Sequence, residues 1–538
     1  MLNITAKLTA AVSLLLLSLL SYSQVAPFTV HMEPMSVTDL GGLQAYAFGQ
    51  HDGKWLIIGG RLDGLHRRQP WAAFDVAGNN NQLIVVDPIA KKRWTMSITS
   101  LSTALQEQMS STNMEFHQDG DYLYIIGGYG FNAATNRRMT FNQLTAVDVP
   151  SVIDAVINSK SIVNHFRQIT DNEFAVTGGH LKKINNTYYL LCGNKFDGDY
   201  NPMGGGSYTQ EYTEAIRKFT LIDDGTTIKV THLTPMIDAA NLHRRDYNAV
   251  PQILPNGEEG ITIFSGVFQP TLDLPFLSSV TVDSSSYAVD KNFQQYYNHY
   301  HGAVVPIYAT NDNEMHNIFF GGIAQYYDSA GTLIQDNDVP FVKTIARVTR
   351  TSNGSMAEYK LPIEMPSLMG ASAEFIPNEK VPSYNNGVFN FDDFTSDSTL
   401  VGYIYGGISS TEANIFFTNN GTQSSASNQV FKVYIVKNGS SNIDQLNEQS
   451  IGSLKMQVYP NPSNGHLSIR FNLRDIEETV ITVYNQNGQK LEEKVLTNLH
   501  VGVNVFTSAL KGFENGGTYL ISIETPSEKA TQKVVIQK

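Results

Sequence analysis

A short β-type run ending in glycine returns six times along this chain, and no other feature limits the fold as much. Trp55-Leu-Ile-Ile-Gly-Gly60 recurs as Leu123-Tyr-Ile-Ile-Gly-Gly128, Ile318-Phe-Phe-Gly-Gly322 and Tyr403-Ile-Tyr-Gly-Gly407. Weaker copies stand at Tyr189-Leu-Leu-Cys-Gly193 and Ile261-Thr-Ile-Phe-Ser-Gly266. The spacing, roughly 55 to 85 residues, leaves room for one supersecondary unit per copy. A second signature follows the first. Asn81-Gln-Leu-Ile-Val-Val-Asp87 matches Asn142-Gln-Leu-Thr-Ala-Val-Asp148 and, more loosely, Asn428-Gln-Val-Phe-Lys-Val-Tyr434. Runs rich in β-branched and aromatic residues read as strands.

Each unit also has an earlier strand, set off by a polar turn. Ala45-Tyr-Ala-Phe48 precedes His51-Asp-Gly53, Met114-Glu-Phe116 precedes Gln118-Asp-Gly120, and Phe174-Ala-Val-Thr177 precedes Lys182 to Asn186. Asp-Gly and Asn-rich turns between strands are hairpin signals. The expectation is four antiparallel strands per unit. The sixth unit runs out of strands at Phe431-Lys-Val-Tyr-Ile-Val436, and Phe28-Thr-Val-His-Met-Glu-Pro-Met35 is expected to supply the missing outer strand. Repeated strands ending in Gly-Gly resemble the kelch motif and the galactose-oxidase-like propellers. The resemblance implies an all-β chain whose residues 24–437 form a six-bladed kelch-like β-propeller, with the N-terminal strand closing the last blade.

The two ends of the chain read differently. Lys7, the apolar run from Ala10 to Leu20 and the small residues Ser21 and Ser23 form a signal peptide, residues 1–23. After its removal no stretch is long and apolar enough to span a bilayer. The polar segment 438–454 has linker composition. Residues 455–538 alternate in short strands, as in an Ig-like β-sandwich. They carry Tyr459-Pro-Asn-Pro-Ser-Asn-Gly465, then Val483-Tyr-Asn-Gln-Asn-Gly488, then Gly517-Thr-Tyr-Leu-Ile-Ser-Ile523 before Lys533-Val-Val-Ile-Gln-Lys538. These marks resemble the type A C-terminal sorting domain of the type IX secretion system. Tyr459, Pro460, Asn461, Pro462, Asn464 and Gly465 are its signature residues here. The resemblance implies a Bacteroidota-type bacterium, the type IX machinery as partner, and release or surface attachment once the domain is removed.

A net charge of -13 opposes nucleic-acid binding, which needs a basic face. The single cysteine, Cys192, excludes an internal disulfide and sits in an apolar run as an inert thiol. In alternating sheets, the loops leaving the Gly-Gly runs and those leading into the inner strands share one face. The candidate ligand rim on that face is Arg61, His66, Arg67, Arg68, Trp71, Tyr129, Arg137, Arg138, Asp197, Tyr200, His243, Arg244, Arg245, Asp246, Tyr300, His301 and Tyr326. Arginines beside aromatics suit sugars and carboxylates through forked hydrogen bonds and ring stacking. His243, His299 and His301 lack the further ligand that a metal site needs, so no metal and no cofactor is expected. No catalytic residue is assigned. The function read from these features is binding of an extracellular glycan or protein ligand. The alternatives are a mutarotase-like enzyme acting on a sugar or sugar acid through Arg244, Arg245 and Asp246 or Glu374, and a structural envelope protein.

Overall fold

The computed structural model describes residues 26–537, except 203–204, 330–331, 439–453, 455, 460, 462, 464–465, 474–475, 486–488, 498, 500–501, 510–515 and 527–528. The signal peptide and nearly all of the linker expected from the sequence lie outside the described residues. The chain divides into two compact units, one from Phe28 to Val436 and one holding the C-terminal strands. Strands dominate both. Among the described residues no helix is long and apolar enough to cross a membrane.

Among the described residues, the larger unit holds six sheets of four or five strands that follow one another in chain order, and three two-stranded ones. The first runs Ala47–His51, Lys54–Ile58, Gln82–Asp87 and Lys92–Ser97, all antiparallel. The next four repeat this order, beginning at Glu115–Asp119, His180–Ile184, Asn248–Ile253 and Val304–Ala309. The sixth is Leu368–Pro377, Ser398–Ser410 and Val430–Lys437, and its outer strand is Phe28–Met35. One strand differs from the sequence expectation. Phe174 belongs to a one-turn 3-10 helix, and the inner strand of the third sheet is His180–Ile184, after the glycines Gly178 and Gly179. The aromatic and β-branched character of Phe174-Ala-Val-Thr177 serves the core, where Phe174 and Val176 are buried, rather than a ladder.

Burial on both faces explains why the central strands are continuously apolar instead of alternating. Within Lys54–Ile58, Leu56 and Ile58 pack toward the second sheet, with Leu123 and Ile125. Trp55 and Ile57 turn the other way and pack with Tyr403 and Tyr405 of the sixth sheet. Further cores join the second sheet to the third, the third to the fourth, the fourth to the fifth and the fifth to the sixth. Each sheet therefore shares its two faces between two neighbours, and the apolar circuit closes.

The glycines make this approach possible. A Cβ on Gly127 would lie 1.9 Å from the Val176 carbonyl oxygen, and one on Gly406 2.2 Å from that of Leu43. Beside them, Gly128 N donates to Val176 O at 3.0 Å, Gly60 N to Ser111 O at 2.9 Å, and Gly407 N to Leu43 O at 2.9 Å. Gly193 N likewise donates to Arg244 O at 2.8 Å, so at these four strand ends the glycine lets one sheet hydrogen-bond to the backbone of the next.

The smaller unit has two sheets around one apolar core. Gln457–Tyr459, His466–Leu473 and Gly502–Ala509 form one, and Lys490–Leu496, Thr479–Asn485, Gly517–Glu524 and Lys529–Ile536 the other. Of the expected sorting residues, Pro460, Pro462, Asn464 and Gly465 lie outside the described residues. Asn461 does not. Its Nδ2 donates to Lys533 O at 3.0 Å and its Oδ1 accepts from Val535 N at 2.8 Å. The side chain amide thereby acts as a short stretch of neighbouring strand for the last strand of the chain. Ser463 continues the pairing, donating from its N to Val535 O at 2.9 Å.

Candidate functional site

Six residues, one at the start of each sheet, bond to one another through their backbones. Asn113 N donates to Ala45 O, Gly178 N to Asn113 O, Asp246 N to Gly178 O, His301 N to Asp246 O, Ser372 N to His301 O, and Ala45 N to Ser372 O, at 2.7 to 3.3 Å. The circuit is closed, so all six sheets meet around one centre. Above it opens a cavity of about 700 Å³, with Asn113, Gly178, Asp246, His301 and Ser372 among its lining residues. The loops after the glycine-ended strands form its walls, with Phe74, Tyr129, Phe196, Tyr200, Tyr208, Phe268 and Phe416 facing inward. Tyr200 packs edge-on to His66 at 4.8 Å and Phe196 stacks on Tyr208 at 4.5 Å, so the aromatic walls brace one another.

Arg245 is the cation of this cavity. It ion-pairs with Asp246, its Nε donates to Tyr212 Oη at 3.2 Å, and its guanidinium lies over the Phe268 ring at 5.3 Å. Burial works to lower its pKa, but the charge of Asp246, with Tyr212 and Tyr200, raises it further, so it stays charged. His66, across the cavity, is pushed down to about 4 by burial and by the charge of Arg245, and is neutral at pH 7.

The floor has chemistry of its own. His301 Nε2 donates to Glu374 Oε1 at 3.0 Å, and the His180 ring stands edge-on to His301 at 5.1 Å. Burial opposes the charged form of His301, yet the hydrogen bond and charge of Glu374, with Asp246, raise its pKa. Burial, followed by the charges of His301 and Lys182, holds His180 well below its ordinary value. Its Nε2 donates to Tyr247 O at 2.8 Å.

Of the residues singled out in the sequence, the structure gathers His66, Tyr129, Tyr200, Arg245, Asp246, Tyr300 and His301 around the cavity. The others go elsewhere. Arg61 is buried and staples its own loop, reaching Asp63, Asn79 and the Asp75 carbonyl. Arg67, Arg68 and Arg137 are exposed outside the cavity, and Trp71 is 82% exposed. Arg138 binds Asp199 at 2.7 Å, and Asp197 pairs with Lys195 at 3.0 Å. His243 stacks on Tyr212 and pairs with Glu214 at 2.7 Å. Tyr326 packs against Tyr296.

Arg244 needs correction most clearly. It is fully buried and donates to the carbonyls of Asn241, Ser265 and Ser278 over the Phe276 ring. Both arginines lie ahead of the strand Asn248–Ile253; Arg245 lines the cavity and Arg244 is held in the wall by those carbonyls. His299 is buried and held by the backbone. It lies before the strand, at φ 46°, and its Nδ1 donates to Gly321 O at 2.7 Å. His243, His299 and His301 have three separate partners, and among the described residues no group of His, Cys, Asp or Glu is arranged to hold a metal ion.

The cavity residues missed in the sequence are mostly loop aromatics: Phe74, Phe196, Tyr208, Phe268 and Phe416. Each follows a glycine-ended strand, and that position was the signal available. His180 was missed because the inner strand of its sheet was placed before the glycines.

Comparison with known proteins bears on the smaller unit. Residues 457–537 match the family described as a secretion system C-terminal sorting domain. This part of the chain is the type IX sorting domain expected from its sequence marks, and it directs the protein through that secretion system. No curated protein matches the chain. Among solved structures, one titled "Structure of YjhT" is 12% identical, with a TM-score of 0.40, covering 72% of this chain and 98% of that one. Another, a cryo-EM structure of RAG in complex with one melted and one unmelted RSS, is 12% identical at a TM-score of 0.37, covering 76% of this chain and 99% of that one. Likeness at this level decides neither fold nor ligand.

Proposed function

We propose that residues 24–437 are a six-bladed kelch-like β-propeller that binds an extracellular glycan in its central cavity. The C-terminal unit, an Ig-like β-sandwich spanning 455–538, carries it through the type IX machinery of a Bacteroidota-type bacterium to the medium or the cell surface and is then removed. The observation that carries the binding reading is the cavity itself. It is polar at its floor, aromatic on its walls, and built where six sheets converge. Sugars present both hydroxyls and apolar C–H faces, and such a site serves both. Phe417, on a loop of the sixth sheet, lines the cavity and is 65% exposed. Arg68 N donates to Asn419 O at 2.8 Å, which ties that loop to one of the first sheet. An open cavity counts against a purely structural envelope role.

A second reading rests on one observation. His301 is an imidazole oriented by the Glu374 carboxylate in the floor of the cavity, an arrangement suited to proton transfer. On that reading the bound sugar is also a substrate.

An array of immobilised glycans probed with the full-length chain tests the proposal. Saturable binding that Arg245→Ala weakens, with an unchanged melting temperature, is the expected result. Binding retained in full by the variant would move the site elsewhere, and an array with no signal would end the glycan reading.

A further inference from the structure

The charge inventory of the cavity goes further than its shape. Among the described residues lining it, Arg245 is the one arginine or lysine, against the carboxylates of Asp246, Asp273 and Asp338. One positive and three negative groups leave the lining negative by two. The His301–Glu374 pair beneath adds no net charge when the imidazole is protonated. Arg245 itself is already engaged on three sides, by Asp246, Tyr212 and the Phe268 ring. A forked carboxylate contact takes two N–H donors from one edge of the guanidinium, and with Nε on Tyr212 and Nη1 on Asp246 each edge already shares a donor with the protein. Asp246 also keeps an acceptor for a hydroxyl, since its Oδ1 receives no hydrogen bond among the described residues.

We infer that this cavity selects an uncharged saccharide end and rejects sugar acids, because Asp246 occupies the cation that a ligand carboxylate would need. The inference rests on the glycan reading above and names its substrate class. It runs against the sugar-acid alternative drawn from the sequence, where Arg244 and Arg245 together would have made a basic pair. With Arg244 in the wall, the pair does not exist. A ligand carboxylate beside Arg245 would sit next to Asp246 in a partly desolvated site, where like charges repel strongly. A neutral sugar meets no such opposition and gains the aromatic walls.

The test is titration calorimetry on the full-length chain. The probes are trisaccharides of glucose, mannose, galactose and N-acetylglucosamine. Each is paired with its form oxidised to a carboxylate at C6 of the terminal unit. At least one neutral probe is expected to bind at least about tenfold tighter than its oxidised partner. Asp246→Asn, which frees Arg245, is expected to narrow or reverse that ratio by about tenfold. Asparagine accepts the left-handed backbone of position 246, where φ is 51°, so the variant keeps the fold. Arg245→Gln removes the cation instead and is expected to keep the neutral preference. Wild-type preference for an oxidised probe, or an unchanged ratio in Asp246→Asn, would overturn the inference and leave glycan binding standing. Failure of every probe, neutral and oxidised, would remove the glycan reading together with it.

Discussion

The seams between the six sheets and the mouth of the cavity are made from the same strands but by opposite means. At the seams, glycines bring backbone to backbone beside apolar side-chain cores, and this arrangement recurs from sheet to sheet. At the mouth, every loop is different, and side chains do the work: Phe74 from the first sheet, Tyr200 from the third, Arg245 and Phe268 from the fourth, His301 from the fifth. Repetition supplies a closed frame, and the loops, free of that constraint, supply a site. The contrast teaches that a residue's role here depends on which of the two it serves more than on its type.

The sharpest way to break the contrast is to place a side chain in a seam. Gly127→Ala sets a Cβ against the Val176 carbonyl at a backbone with φ of 63°. It is expected to cost about 3 kcal/mol or more, read as loss of the cooperative thermal transition.

The two adjacent arginines offer the next test. Arg244→Met strands the Asn241, Ser265 and Ser278 carbonyls, and a loss of about 2–4 kcal/mol in denaturant unfolding is expected, with ligand affinity kept in the folded fraction. Arg245→Met is expected to do the reverse, leaving stability within about 1 kcal/mol while binding falls. Equal effects from both would erase the distinction between seam and mouth.

A smaller effect is expected in the sorting unit. Asn461→Ala removes both side-chain bonds to the last strand. About 1–2 kcal/mol is expected to go from that unit alone, seen as a shift in one of two thermal transitions and as reduced export.

The mildest prediction is a gain. Glu115 is buried, one of its oxygens accepts from Gly179 N at 2.8 Å and the other has no partner. Burial raises its pKa well above the usual carboxylate range. A folded pKa above the unfolded one means that its contribution is fully present below the unfolded value and is lost as pH rises through the folded value. Glu115→Gln keeps the bond from Gly179 and is expected to stabilise the protein by about 1 kcal/mol at neutral pH, with a difference that shrinks toward pH 4.

What could be read in the sequence follows the same division. The glycine-ended strands and the outer runs such as Gln82–Asp87 were legible because the physics that makes them, burial on both faces and backbone contact at the end, acts in every unit and leaves a repeating pattern. The outer-strand role of Phe28–Met35 was visible as a missing strand in the last unit. The third sheet's inner strand was misplaced because Phe174 and Val176 are apolar for the sake of the core, and periodicity alone does not separate a buried loop from a strand. The cavity was half legible. Loop position pointed to Arg245, Asp246 and His301, but composition could not tell Arg245 from Arg244, since the carbonyls of Asn241, Ser265 and Ser278 that hold Arg244 meet it only in the folded chain. Arg61 looked like a ligand-binding cation and is a loop staple, for its partners Asp63 and Asn79 meet it only in the folded chain. The sorting unit was legible from local marks, and Asn461 shows why: its amide is bonded to the last strand.

The most direct measurement is a crystal structure of the full-length chain with the glycan that binds most tightly on the array. Sugar density above Asp246 and His301, ringed by Phe74, Tyr200 and Phe268, is the result this account predicts. Density on the outer strands or on the C-terminal unit, with the central cavity holding only water, would contradict it.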